Sequence, residues 1–122
     1  MTATYGSNFG KLIDFSTDVY NSEGLSDIMQ TTLENYFCHG LEPGGFTTSV
    51  LEGDLFAASR KADHWNKENL AKIANWIFQH APAGSFGSRE TVRDWLADKD
   101  YCRTIYHDEL EKKYVWKTLN AT

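Results

Sequence analysis

Apolar residues recur at helical spacing along most of this chain, and the clearest stretch spans about residues 26–39. Ser26 is suited to cap the start of a helix, with Asp27 in the first turn, and Gly40 is suited to cap its end. The spacing therefore predicts an amphipathic helix here. Its apolar face consists of Leu25, Ile28, Met29, Leu33, Tyr36 and Phe37.

Two further helices are predicted between residues 46 and 81. The first runs from near Phe46 to about Ala62, and Gly53 within it predicts a kink or a close contact. The second follows a break in which Asp63 or Asn66 is suited as the cap, and it ends before Pro82. The predicted apolar face of the first helix, its stripe, consists of Val50, Leu51, Leu55 and Ala58. The stripe of the second consists of Leu70, Ile73, Ala74 and Ile77.

The C-terminal part of the chain predicts two more helices. Ser88 is suited to cap a short helix that buries Val92, Trp95 and Leu96. A last helix is predicted at about residues 103–119. Its stripe is Tyr106, Leu110 and Tyr114.

The predicted fold is all-α, a compact bundle of four to five helices in a single domain over residues 1–122. Residues 1–23 are predicted to form a short irregular or extended N-terminal arm packed on the body, because helical and alternating patterns compete between Leu12 and Tyr20. Residues 24–122 are predicted to form the helical body. The buried set is expected to include Ile28, Leu33, Phe37, Val50, Leu51, Leu55, Leu70, Ile73, Ile77, Trp95 and Leu96.

Charge and composition narrow the classes of partner. The net charge of −5 argues against non-specific binding of nucleic acid. No Lys or Arg lies between Leu12 and Ser59, so an acidic first half could meet a basic partner or could simply be solvated. No apolar run is long enough to span a membrane, and the absence of a signal pattern fits a reducing cytoplasm.

Two glycine-rich turns, at residues 39–48 and 83–88, are the main candidates for chemistry, because each opens a helix whose free N–H groups suit an anion. Phosphates would be held by Gly44, Gly45, Thr47, Thr48 and Ser88, with Arg60 as the paired cation. Phe46, Phe86 or Trp65 would stack on a base, and Asp63, His64 and Asn66 would hold a ribose or a base edge. His39 could donate to a phosphate or simply complement the helix end. The alternative interpretation is structural, since glycines make turns and hydroxyls cap helices.

No catalytic residue, metal site or cofactor is predicted. The four histidines lack zinc spacing, and neither Cys38 nor Cys102 belongs to a reactive motif. No nucleophile–base set stands out. Enzyme activity is therefore unsupported by the sequence.

The order of several short motifs resembles a group of small, uncharacterised proteins encoded by bacteriophages and mobile elements. The matching pieces are His-Gly-x-x-Pro-Gly-x-Phe from His39, Arg-x-Ala-Asp-x-x-Asn from Arg60, and Phe-Gly-Ser-x-x-x-Val-x-x-Trp from Phe86. The resemblance covers about residues 26–96. It implies an accessory protein that acts in the cytoplasm of a bacterial host.

Three functions remain open at this stage. The leading hypothesis is sequestration of a nucleotide signal of host defence, such as a cyclic nucleotide or an ADP-ribose derivative. The second is inhibition of a host protein through the acidic half, and the third is a small nucleotide-processing enzyme; a homo-oligomer is compatible with each. The nucleotide hypothesis requires both glycine-rich turns to face one pocket that holds an aromatic ring and Arg60, Arg89 or His39. Turns that lie apart would favour the protein inhibitor.

Overall fold

The structure is a computed structural model that describes residues 13, 15, 20, 24–106 and 108. It is mainly α-helical, as predicted, with no strand among these residues. The helices are α1 (Asp27–His39), α2 (Gly45–Leu51), α3 (Leu55–Lys61), α4 (His64–His80) and α5 (Arg89–Ala97). A 3₁₀ turn (Lys99–Tyr101) leads into helical residues 102–106. These agree with the start of the predicted last helix, of which residues 107 and 109–119 lie outside the described residues.

The predicted helix caps are confirmed where the structure shows them. The Ser26 hydroxyl accepts a hydrogen bond from the Met29 N–H at 3.2 Å, and Gly40 ends α1 in the left-handed conformation with φ of 65°. Asp63 caps α4 by accepting from the Asn66 N–H at 2.8 Å. Ser88 caps α5 in the same way through the Thr91 N–H at 3.1 Å. Each cap satisfies a backbone group that the helix itself leaves unpaired.

The single helix predicted from about residue 46 to residue 62 is wrong, because the chain breaks there into α2 and α3. Gly53 has a φ of +77°, a backbone conformation that residues with a side chain rarely adopt. A Cβ at Gly53 would come within 3.4 Å of the Gly87 carbonyl oxygen. Asp54 then starts α3 by accepting a hydrogen bond from the Ala57 N–H at 3.0 Å. The kink expected at Gly53 is thus a full break with its own cap.

Two residues predicted to be buried, Ile28 and Leu55, are exposed. The break at Gly53 changes the phase of the second stripe, so that α3 turns Ala58 into the core and leaves Leu55 60% exposed. In α1 the inward face begins at Met29, which leaves Ile28 80% exposed. The other members of the predicted set are buried or half-buried.

The core is built around two tryptophans that α4 and α5 contribute. The Trp76 indole N–H donates to the Tyr20 carbonyl at 2.7 Å, and the Trp95 indole N–H donates to the Tyr36 carbonyl at 3.2 Å. Both rings are fully buried with their polar atoms paired, as burial of an indole requires. Trp76 was absent from the predicted core, although it lies one position before Ile77.

Part of the N-terminal arm packs on this core. Ile13 and Phe15 are buried, and the Phe15 ring stacks on Trp76 with 5.1 Å between ring centroids. The prediction that the arm packs on the body is confirmed for these residues. The rest of residues 1–23, apart from residue 20, lies outside the described residues.

Candidate functional site

One cavity, here called the turn cavity, forms where the starts of α1, α2 and α4 meet. It has a volume of about 480 Å³, within the range of small-molecule sites. It brings together six of the predicted ligand-binding residues, which are Gly44, Gly45, Phe46, Thr47, Asp63 and Asn66. Trp65, predicted to stack on a base, also lines it, together with Ser26, Ile28, Met29 and Thr32.

Two polar side chains of the turn cavity retain unused hydrogen-bonding capacity. Thr47 is only 5% exposed, and the one partner of its hydroxyl among the described residues is the Met29 thioether at 3.9 Å. A thioether is a weak acceptor, and the oxygen lone pairs of Thr47 stay free. Asp63 uses Oδ1 to cap α4, so that Oδ2 remains available as an acceptor.

Lys61, a cation that the sequence analysis did not select, lies beside Gly45 of the first glycine-rich turn. Its ammonium donates to the Ser49 hydroxyl at 3.2 Å and lies 4.0 Å from the position that a Cβ on Gly45 would occupy. Lys61 ends α3, and the break at Gly53 folds α3 back against α2. A local motif could not reveal this proximity, because it depends on that break.

The other predicted site residues do not line the turn cavity. His39 and Arg60 are exposed on α1 and α3. His64 pairs with Glu68 at 3.1 Å on the surface of α4. The Thr48 hydroxyl donates to the Pro43 carbonyl at 3.3 Å, which makes it part of the turn. Phe86 and Ser88 belong to the second glycine-rich turn.

That second turn lies at the opposite end of α2 from the first. Its Gly87 N–H donates to the Leu51 carbonyl at the end of α2, at 2.8 Å. The buried Tyr36 hydroxyl donates to the Ser85 carbonyl at 2.7 Å and holds the turn against α1. Burial raises the pKa of Tyr36 well above its usual range, which keeps the hydroxyl a donor. The two glycine-rich turns therefore lie at different ends of α2 and do not line one common pocket.

Basic residues of the later helices intermix with the acidic first half. Arg89 and Arg93 line a third cavity of about 470 Å³ together with Glu42 and Glu52. The Arg103 guanidinium lies against Gly40, and Lys61 lies against α2. Around Glu42 and Glu52, the acidic half therefore does not present a purely acidic face.

Another cavity, here called the α3–α4 groove, has a more apolar lining than the turn cavity and the cavity beside Arg89. It has a volume of about 530 Å³ and is lined by Val50, Gly53, Asp54, Leu55, Ala58, Lys67, Glu68, Leu70, Ala71 and Ala74. Leu55 stands exposed in its wall, and the next residue, Phe56, is 84% exposed. The sequence analysis missed the groove because it placed Leu55 in the core and gave Phe56 no role.

Metal-ligand clusters, reactive cysteines and membrane-spanning helices were also sought among the described residues. No group of three or more His, Cys, Asp or Glu side chains there could hold a metal ion. Cys38 and Cys102 do not form a disulfide, and burial raises the pKa of the Cys102 thiol, which disfavours the reactive thiolate. None of the helices described is both long and apolar enough to cross a membrane.

The chain matched no protein-family model, and neither the curated proteins nor the solved structures contained one similar to it.

Proposed function

We propose that this chain is a phage accessory protein that acts by binding a protein of its bacterial host through the α3–α4 groove. The observation that carries the proposal is the exposure of Leu55, which lines an apolar cavity of about 530 Å³, and of Phe56, the next residue of α3. A large apolar side chain in water is informative when it borders an unfilled apolar surface. Leu55 borders such a surface, and Phe56 adds a second exposed apolar side chain on the same helix.

The groove is suited to receive side chains from a partner. Ala71 and Ala74, small residues one turn apart on α4, leave space that larger side chains would fill. Phe56 in turn can enter a pocket on the partner. Burying a phenylalanine side chain contributes about 1.5–3 kcal/mol, which is the scale of an interface hot spot.

The charge pattern favours the groove over the acidic half as the docking surface. Arg89 and Arg93 share a cavity with Glu42 and Glu52, so the acidic half offers little net field to a basic partner there. The groove is bordered by Asp54, Glu68 and Lys67, and its inner surface is aliphatic. The support for a bacterial host protein as the partner is the resemblance to phage proteins.

The test is affinity capture from a lysate of the bacterial host, quantified by mass spectrometry. Phe56→Asp is expected to lose the specific partner, because a carboxylate on the projecting residue has to be desolvated at the interface. Ile28→Asp is the matched control, since Ile28 is 80% exposed on α1 and lines the turn cavity instead. It is expected to retain the partner.

Two outcomes would contradict the proposal. One is a partner that Phe56→Asp retains or that Ile28→Asp loses equally, with both variants folded by circular dichroism. The other is a wild-type dimer in light scattering that Phe56→Asp converts to a monomer while no host protein is captured. The groove would then be an interface between two copies of this chain.

A further inference from the structure

We propose that the segment of the host protein that occupies the α3–α4 groove is an amphipathic α-helix, which lies along α4 and reaches Phe78. This inference rests on the proposed function, because it names the structure of the partner segment that the groove receives. Phe78 is a large apolar side chain, yet it is 78% exposed. It does not line the cavity itself, so it extends the docking surface beyond the groove.

Phe78 lies on the same face of α4 as the groove. Lys67, Ala71 and Ala74 line the groove, and together with Phe78 they are spaced four, three and four residues apart. Residues with this spacing lie above one another on one face of an α-helix. At a rise of about 1.5 Å per residue, the face from Lys67 to Phe78 is about 16 Å long, or about three helical turns. The docking surface therefore has the length of a short partner helix.

The α4 wall of the groove cannot pair with the backbone of an extended peptide. Ala71 and Ala74 lie in the middle of α4, where backbone N–H and carbonyl groups pair within the helix. At the break between α2 and α3, the N–H groups of Gly53 and Asp54 already donate to carbonyls of α2, at 3.0 and 2.9 Å. An extended segment along α4 would bury its own backbone groups without partners, whereas an α-helix pairs them internally.

The side chains along this face suit the packing of one helix on another. Ala71 and Ala74 are small, so the axis of a second helix can approach the axis of α4 to about 8–10 Å. Phe78 lies one turn beyond Ala74 and contacts the end of the partner helix. The partner thus buries an apolar side chain that this chain leaves in water.

The distribution of charge selects the face of the partner helix. The charged residues of the groove are Asp54, Lys67 and Glu68, of which the last two lie near the start of α4. No Asp, Glu, Lys or Arg occurs between Lys72 and Arg89, so Phe78 belongs to an uncharged stretch of the chain. A charged group of the partner would lose its hydration against this stretch without gaining a counter-ion. The contacting face of the partner helix is therefore apolar, and its charges lie on the opposite face.

The first experiment compares Phe78→Asp with Gln79→Asp by plasmon resonance on the purified partner. Both positions are exposed, and both variants add a carboxylate to the last turn of α4, where it opposes the helix dipole equally. Only Phe78 lies on the face of the groove, since Gln79 is rotated about 100° away from it. Phe78→Asp is expected to weaken binding at least tenfold, whereas Gln79→Asp is expected to bind as the wild type does.

The second experiment tests whether the partner segment is a helix. Benzoylphenylalanine in place of Phe78 is photo-crosslinked to the captured partner, and mass spectrometry identifies the attached segment. A synthetic peptide of this segment is expected to gain helical circular dichroism when it binds. Proline at the centre of the peptide is expected to weaken binding about hundredfold, because it breaks a helix. Proline at the first residue is the control, since the first turn of a helix tolerates it.

The results separate this inference from the proposed function. A loss in Phe78→Asp alone, together with the effect of the central proline, would support the partner helix. If Phe56→Asp loses the partner but Phe78→Asp retains it, or if the central proline changes nothing, the helix along α4 is overturned while docking at the groove stands. A partner that Phe56→Asp retains, or the absence of any captured partner, overturns the proposed function and this inference with it.

Discussion

The turn cavity and the α3–α4 groove both contain residues of α2 and α4, yet their linings differ in composition. Glycine backbone, hydroxyls and a carboxylate line the turn cavity together with four apolar side chains. Aliphatic side chains dominate the groove, and the exposed Phe56 follows Leu55 of its wall in the chain. The mixed lining of the first thus contrasts with the nearly aliphatic lining of the second, which is the surface proposed to receive the side chains of a protein.

The two cavities also differ in how far their lining residues could be predicted from the sequence. Glycines, hydroxyls and caps act within a few residues, so the pattern around Gly44 and Asp63 selected residues that line the turn cavity. The pocket shared with the second glycine-rich turn, which the nucleotide hypothesis requires, does not form. The groove exists because the break at Gly53 rotates Leu55 out of the core. The spacing of apolar residues cannot reveal such a rotation, because a prediction from spacing takes the helix to be continuous.

The largest expected effect comes from filling the groove without touching Phe56. Ala71→Met adds volume inside the groove, whereas Lys72→Met adds the same side chain at the adjacent position outside its lining. We expect Ala71→Met to weaken binding of the captured partner about thirtyfold, the loss typical of a disrupted hot spot. Surface plasmon resonance on the purified partner measures it. Equal affinities for the two variants would show that the groove is not the docking surface.

Two glycines of the first glycine-rich turn, residues 39–48, should differ in how much they contribute to stability. Gly40 has a φ of +65°, and a Cβ there would collide with the Arg103 guanidinium. Gly40→Ala is therefore expected to lower the free energy of unfolding by about 1–2 kcal/mol. Gly45→Ala should change it little, since its added Cβ would lie 3.6 Å from Lys61 Cδ, an ordinary contact. Urea denaturation measures both, and a larger loss at Gly45 would contradict this division.

The helices and their caps could be predicted from sequence because both depend on near neighbours. Ser26, Gly40, Asp63 and Ser88 cap their helices as the pattern indicated. Lys61 and Trp76 could not be placed in the same way. The position of Lys61 beside Gly45 and the cover of Trp76 by Phe15 are contacts between elements. Such contacts depend on how helices fold back on one another.

Salt should distinguish docking at the groove from docking at the acidic half by a smaller effect. Raising the ionic strength from about 0.1 M to 1 M screens charged contacts. Binding at the groove is apolar and should hold or strengthen. Plasmon resonance at both concentrations provides the comparison. A partner that salt releases would instead favour docking through the acidic half.

The most direct test of docking at the groove is hydroxyl-radical footprinting of the wild-type protein, free and bound to the captured partner. Oxidation reports the solvent access of Phe56 and Leu55 at the groove and of Trp65 and Ile28 at the turn cavity, all four of which are exposed in the free chain. The account predicts that the partner protects Phe56 and Leu55 and leaves Trp65 and Ile28 reactive. Protection of Trp65 and Ile28 with Phe56 still oxidised would contradict it.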